Sequence, residues 1–522
     1  MSSSAIIAII IFALAMVATV AIGVYSGRGR EKSMDEWSVS SRGLGFIFVL
    51  LLMAGESYTS FSFLGAAGWS YKYGVPILYL IGYLSVGLII AYVLAPTLWT
   101  YAARHKLVGL TDIIEYRFKS RPLAIFVAIA ATIFMLPYIQ LQIQGMGTVV
   151  NAMSYGAIDL KVAAIISFIV AELFILVSGL RGSAWVSVLK DGLTVAAIAF
   201  LAIYVPLHYF DGVGELVGRM IQEKPQWLTF PGAGGGEYGA AWFISTILLN
   251  AFTTAIFPTT LAGYISADSA NSLRRNSIIL PWYQVLLLVP VMIGMAALFV
   301  VPALANGDLA LFSVVIDSLP APLVAIIGVA GALSAIVPMS VFMLAIGTMW
   351  GRTVLGGGLT RAHAPADSAA AAQDPAGARQ RKLSQVVCLI AGLVALAGSL
   401  FMPNALVSLS VLSYEGMAQL VPAALLGLFW PRMSKHAAAA GIVVGGIAML
   451  TLYFTGNDPL WGVNGGVWAL ALNFLVVVVL SLVSPDPRWR KTWRSEARAT
   501  ARAAASARPA QVVESSRTDA QG

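Results

Sequence analysis

Charge is scarce in this sequence. Of 522 residues only 11% are Asp, Glu, Lys or Arg, against about 25% in a soluble domain, so a water-facing surface cannot be built around the whole chain. Cysteine is nearly absent: Cys388 stands alone, in an apolar run, which excludes an internal disulfide. The four histidines, His105, His208, His363 and His436, fall in loops or at the ends of apolar runs. No histidine pair faces a common interior, so nothing supports haem or a catalytic metal, and no metalloprotease or serine-hydrolase motif stands in a suitable context. The sequence therefore reads as a non-enzyme without a cofactor. A β-barrel is excluded as well, because the apolar runs are continuous rather than alternating.

What is abundant is long hydrophobic sequence, 59% of the chain. About 20 apolar residues cross a bilayer as a helix, and backbone in hydrocarbon must satisfy its own hydrogen bonds. About 13 crossings are expected, near 5–27, 43–71, 74–100, 121–149, 157–179, 184–210, 240–264, 277–302, 321–349, 384–402, 404–430, 436–456 and 464–484. With the N-terminus outside and the C-terminus inside, all 32 Lys and Arg except Lys72, Lys161, Lys190, Arg219 and Lys224 fall on the cytoplasmic side, as the positive-inside rule asks. The first run has no basic n-region before it and reads as a retained helix. The net charge of +8 belongs to those loops and the tail, so nucleic acid is not an expected partner; the bilayer of the cell membrane is. Outside the membrane fall a Gly-rich external loop (211–239), a disordered cytoplasmic linker (353–383) and a basic, Ala-rich tail (485–522). The sequence carries no signal of oligomeric state.

Two crossings carry signs of interrupted helix. The second holds Met53-Ala54-Gly55-Glu56-Ser57-Tyr58-Thr59, with glycine, an acid and hydroxyls at mid-membrane. The seventh holds Thr253-Thr254 ahead of Phe257-Pro258-Thr259-Thr260. Proline removes a helix hydrogen bond and clashes with the turn before it, and irregular backbone at that depth persists only where it is buried or lines a cavity. Each of these crossings opens a block of five. Paired interruptions in two such blocks mark the binding site of an inverted-repeat transporter, with Gly55 and Pro258 as hinges. A simple kink at Pro258 is the alternative.

Three stretches then bring a family into view. Thr111-Asp112-Ile113-Ile114-Glu115-Tyr116-Arg117-Phe118, Ser178-Gly179-Leu180-Arg181-Gly182-Ser183-Ala184-Trp185 and Gly427-Leu428-Phe429-Trp430 resemble the sodium:solute symporters. The resemblance implies an all-α, leucine-transporter-like (LeuT) fold with peripheral helices. Its transmembrane domain would cover 1–484, with a five-plus-five inverted repeat at about 43–210 and 240–430. Gly55-Glu56-Ser57-Tyr58-Thr59, Pro137-Tyr138-Ile139-Gln140-Leu141-Gln142 and Val188-Leu189-Lys190-Asp191 resemble the bacterial monocarboxylate permeases.

That likeness implies cation-coupled symport, with Na⁺ or H⁺, of a small solute such as a short-chain organic acid. An amino acid or sugar is the other substrate reading; an uncoupled channel and a sensory module are the other functional ones. The resemblance places Na⁺ at carbonyls of Gly55 and Tyr58 and in the ninth crossing at Gly331 and Ser334. It also exposes departures: Ala335 stands where a second hydroxyl is usual, Ser187 where an Asp is frequent, and Lys190 one turn further on. The Lys190 ammonium is expected either to replace or couple to the ion, or to reach the interface beside Asp191. Glu56 reads as a proton carrier, an indirect ion ligand or a structural group. Glu172 reads as a helix contact and Glu415 as a cap or gate. Substrate candidates are Ser57, Thr59, Tyr138, Gln142, Thr253, Thr254 and Phe257. Tyr138 and Gln142 share one helix face, and Gln140 and Gln144 another.

Overall fold

The computed structural model describes residues 2–26, 39–233, 235, 237–359 and 375–486. The expected basic loop with Arg28, Arg30 and Lys32, the glycines Gly234 and Gly236, the middle of the linker and the tail from 487 lie outside the described residues. What is described is helical. In chain order the helices used below are α1 (Ser3–Ser26), α2 (Phe46–Ser57), α3 (Ala66–Tyr73), α4 (Tyr79–Arg104), α5 (Leu110–Phe118), α6 (Arg121–Met153), α7 (Leu160–Phe210), α8 (Val213–Glu223), α9 (Ala240–Thr254), α10 (Pro258–Ser266), α11 (Ala270–Gln284), α12 (Leu288–Val300), α13 (Ala310–Ser318), α14 (Ala321–Thr348), α15 (Pro375–Phe401), α16 (Leu406–Ala418), α17 (Lys435–Phe454) and α18 (Gly465–Val483).

Among the described residues ten helices are long and apolar enough to cross a membrane, or eleven when α9 and α10 count as one bent span. The other two expected crossings are special cases. One is α2 with α3, whose pieces are too short singly. The other is the first part of α7, which reads as 51 continuous helical residues. Its contacts show that it doubles back. Ser183 Oγ meets Ser340 Oγ at 2.7 Å, Thr194 Oγ1 meets Ser334 Oγ at 3.4 Å, and Tyr204 OH donates to Ser318 O at 3.3 Å. From Ser183 onward α7 thus runs antiparallel to α14. Yet Phe168 and Glu172 meet α14 at Met343, beside Gly392. A straight helix would separate residues 172 and 183 by roughly 16 Å, while their partners Met343 and Ser340 are only about 4.5 Å apart along α14. The chain reverses between them.

Both predicted interruptions are present. After α2 the helix lapses at Tyr58 (φ −96°, ψ 83°) and restarts as a π turn, Phe61–Gly65, leading into α3. The Thr59 hydroxyl accepts from Phe61 N–H at 3.1 Å, and Ser62 Oγ accepts from Thr59 N–H at 3.0 Å, so short side chains satisfy the freed backbone. In the seventh crossing α9 ends at Thr254 and α10 begins at Pro258, bent by 43°; proline at the first helical position costs no hydrogen bond. Two more π turns follow α14 (Met349–Val354) and α16 (Pro422–Leu426).

Small residues bring these pieces together. A Cβ on Gly294 of α12 would lie 2.1 Å from Ala67 O, and Ser70 Oγ donates to Val291 O at 2.7 Å. This locks α3 against α12 by close backbone approach, the usual device where apolar burial gives no drive.

Two expected non-membrane segments come out differently. The loop 211–239 contains α8, which packs Leu216 and Met220 inward and carries the Arg219–Glu223 pair outward. The linker expected at 353–383 is shorter. Residues 353–359 continue from the second π turn and pack on α5, α15 begins at Pro375, and 360–374 lie outside the described residues. An Ala-rich stretch reads as linker by composition, but alanine is also the best helix former.

The link between α12 and α13 is ordered around Asp308. Its carboxylate accepts from Leu406 N–H at 3.4 Å, and Gly68 packs directly on it. Burial pushes this carboxyl up to about 6, against the lowering pull of the Leu406 hydrogen bond and Lys72. Because the folded protein holds this proton more tightly than the unfolded chain, the contribution to stability is full below about pH 4 and is lost as pH rises through about 6. Asp308→Asn is expected to remove that slope. Thermal unfolding of both proteins between pH 4 and 7 checks it, and parallel curves would refute it.

Candidate functional site

The lapse after α2 frees backbone carbonyls, and one is already taken. Gly55 O accepts from Lys190 Nζ. Lys190 lies on α7, is fully buried, and has Asp191 Oδ1 at 3.4 Å. It does not reach an interface. A Cβ on Gly55 would stand 3.3 Å from that ammonium and 3.4 Å from Ser187 Oγ, so glycine is what lets the two helices close around the charge. Ser187, Lys190, Asp191 and Thr194 form one face of α7. Through Thr194 this face meets Ser334 of α14, whose hydroxyl also donates to Ala330 O at 2.9 Å. The side of Gly331 where a Cβ would stand packs on Val149 and Phe63. Tyr58 turns its ring against Tyr283 at 4.9 Å, with its hydroxyl 3.4 Å from Tyr283 O. Glu56 belongs to α2, but its side chain lies outside the described residues.

One turn along, a cleft of about 470 Å³, its open mouth included, lies between α2, α4, α9, α10, α11 and α16. Its polar lining is Ser57, Thr254, Thr260, Gln284 and the tyrosines 83, 264 and 414; the rest is apolar or glycine, and among the described residues no lining side chain is charged. Gln284 Nε2 donates to Ser57 Oγ at 2.8 Å, tying the helix before the break to α11. Behind Tyr414 stands a wall of rings. Phe257 stacks on Tyr414 at 4.7 Å, Tyr138 stacks on Phe342 at 4.6 Å, and Phe257 meets Phe342 edge-on at 5.5 Å.

Of the substrate candidates, Ser57 and Thr254 line the cleft, while Tyr138 and Phe257 build the wall behind it. Thr59 and Gln142 are spent on the break: Thr59 caps the restarted helix, and Gln142 Oε1 accepts from Ser60 N–H at 3.3 Å. Thr253 is buried and bonds back to Leu249 O at 2.6 Å. Gln140 and Gln144 face away, donating to Met402 O and Asn404 O. Glu415 is buried and accepts from Asn464 Nδ2 at 2.7 Å. Glu172, also buried, has no hydrogen-bond partner among the described residues. Sequence reasoning missed Gln284, Thr260, Tyr83 and Tyr264. The signal for Gln284 was there: a lone amide, three residues after Pro281, opening an apolar run.

The end of the bundle that carries the basic loops is closed. Arg352 Nε sits 3.0 Å from Asp112 Oδ2, which also accepts from Val108 N–H at 3.0 Å. Thr353 Oγ1 donates to Thr111 Oγ1 at 2.8 Å, Arg121 donates to the carbonyls of Thr353 and Val354, and Glu115 accepts from Leu359 N–H. These contacts clamp α5 to the π turn after α14. A second cavity lies against the clamp, lined by Pro258, Ala262 and Val341 among others.

Comparison with known proteins gives this arrangement a place. The model of the sodium:solute symporter family matches residues 37–445. The chain belongs to that family. An uncharacterized symporter of Bacillus subtilis (strain 168), YhjB, is 35% identical over 489 residues, covering 91% of this chain and 96% of its own. A monocarboxylate transport permease protein of Rhizobium johnstonii is 25% identical, over 92% and 97% respectively. Among solved structures, a Na⁺-coupled sialic acid symporter superposes with a TM-score of 0.73 at 16% identity, covering 92% of this chain and 98% of that one. Mhp1, a nucleobase-cation-symport-1 family transporter, does so at 0.54 and 14% identity, over 88% and 98%. The fold is that of LeuT-type transporters. This member of the sodium:solute symporter family is a multi-pass membrane protein and a cation-coupled transporter of a small molecule, not an enzyme.

Proposed function

We propose that this symporter carries a small organic monoacid through the cleft at Ser57, Thr254, Thr260 and Gln284. The observation that carries the proposal is the lining: hydroxyl and amide donors, with no charged side chain among the described residues. A carboxylate can be held by such donors, since hydrogen bonds to a charged acceptor are the strong ones. A dianion would need a fixed cation, which the lining lacks among the described residues. The Rhizobium johnstonii relative, named as a monocarboxylate permease, supports the same substrate class. Alternating access would proceed by the broken pairs α2/α3 and α9/α10 rocking against the other helices, with the breaks at Tyr58 and Pro258 as hinges.

The test is uptake into proteoliposomes of labelled acetate, lactate and pyruvate, each under an imposed Na⁺ gradient and, separately, an imposed pH gradient. Accumulation above equilibrium that the other monoacids compete away is expected, and the gradient that drives it names the coupling ion. Equilibration without accumulation would instead mean an uncoupled channel. Accumulation of a sugar or amino acid that monoacids do not inhibit would overturn the substrate class.

A further inference from the structure

We infer that the Lys190 ammonium is the resident cation of the break after α2, and that Na⁺ does not bind at this position in this chain. This deepens the symport reading and rests on it. Oxygen ligands freed by unwound helix are what hold a hard cation in such transporters. Here the carbonyl oxygen at Gly55 is already engaged, and the hydroxyls of Ser334 and Ser187 donate their hydrogens within their own helices. Gly55 O receives the ammonium. Ser334 Oγ bonds back to Ala330 O at 2.9 Å, and Ser187 Oγ bonds back to Ser183 O at 2.9 Å. Position 335, next to Ser334, is alanine and offers no oxygen from its side chain.

The charge balance agrees. Among the described residues, the buried Asp191 carboxylate stands 3.4 Å from the fully buried ammonium, and a charged lysine at such depth needs a counter-charge of this kind. A sodium ion on Gly55 O would share that oxygen with the ammonium at contact distance, where like charges exclude each other. A Cβ at Gly55 would stand 3.3 Å from the ammonium, a tight contact that glycine avoids. The positive charge is covalently attached to α7 and cannot leave with the solute. It therefore holds the break in place of a travelling ion.

Thermal unfolding of the purified full-length protein tests this with sodium alone and no solute, so its failure is separate from failure of the organic-acid reading. Unfolding is compared in NaCl and in choline chloride at equal ionic strength. In the unmutated protein, either no Na⁺-specific shift or a shift that survives Ser334→Ala is expected. A Na⁺-specific shift that Ser334→Ala abolishes would overturn the inference. Lys190→Ala vacates the site and is expected to gain a Na⁺-specific rise of about 2–5 °C, which Ser334→Ala then removes. A folded Lys190→Ala protein without that gain would also count against it. Should Lys190→Ala fail to fold, the comparison of unmutated protein with Ser334→Ala still decides.

Discussion

Arg352→Ala is expected to cost on the order of 3–5 kcal/mol of stability, because it strands the Asp112 carboxylate in the buried seam between α5 and the π turn after α14. Asp112 is 1% exposed and Arg352 8%, so water cannot replace the lost partner. A double change, Arg352→Leu with Asp112→Leu, should recover much of the loss, since it removes the stranded charge as well as its partner. Thermal or denaturant unfolding of the three proteins measures this. Single and double variants of equal stability would show that the pair contributes by packing alone. The same seam closes the basic end of the bundle. A solute leaving that way must part these residues, so Arg352→Ala should also open more readily there, read as faster labelling of a cysteine placed at Ala262.

Gln284→Leu is expected to lower uptake efficiency of the transported acid about 10–100-fold, the effect of losing one hydrogen bond to a charged group. Gln284 is 1% exposed and gives one amide hydrogen to Ser57, while its Oε1 has no hydrogen-bond partner among the described residues. Leucine keeps the volume and deletes both functions. If the amide serves substrate, apparent affinity falls while the melting temperature moves little. If it serves only Ser57, Ser57→Ala should reproduce the whole loss, and Gln284→Leu in that background should add nothing. A double-mutant cycle on uptake separates the two.

The helix breaks were legible in the sequence because their causes are local. Pro258 cannot continue a helix, and the hydroxyls around Gly55 are the groups that satisfy loose backbone. The long apolar runs made most of the crossing helices readable in the same way. What lies across the cleft was not legible. Ser57 and Gln284 are 227 positions apart, and Phe257 meets Phe342 and Tyr414 only after α14 and α16 have packed. Nothing near Thr59 or Gln142 distinguishes a side chain that supports a break from one that touches solute. Lys190 was noticed as a departure, but whether it reached water or the interior depended on Gly55, contributed by another helix. The helix α8 was hidden by the glycines that follow it, and the start of α15 by alanines that suit a tether and a helix equally.

The π turn at Met349–Val354 carries a consequence for insertions and deletions. A π turn winds one residue more into the same rise than regular helix does, which offsets every later side chain by about 100° around the axis. Deleting Met349 would let the backbone relax into ordinary winding at little local cost. The deletion and the lost offset would cancel, leaving later side chains near their present direction, whereas forcing the same residues into ordinary winding without a deletion would swing them by about 100°. The turn therefore acts as a phase setting: the winding of Met349–Val354, as much as the guanidinium itself, decides which way Arg352 points.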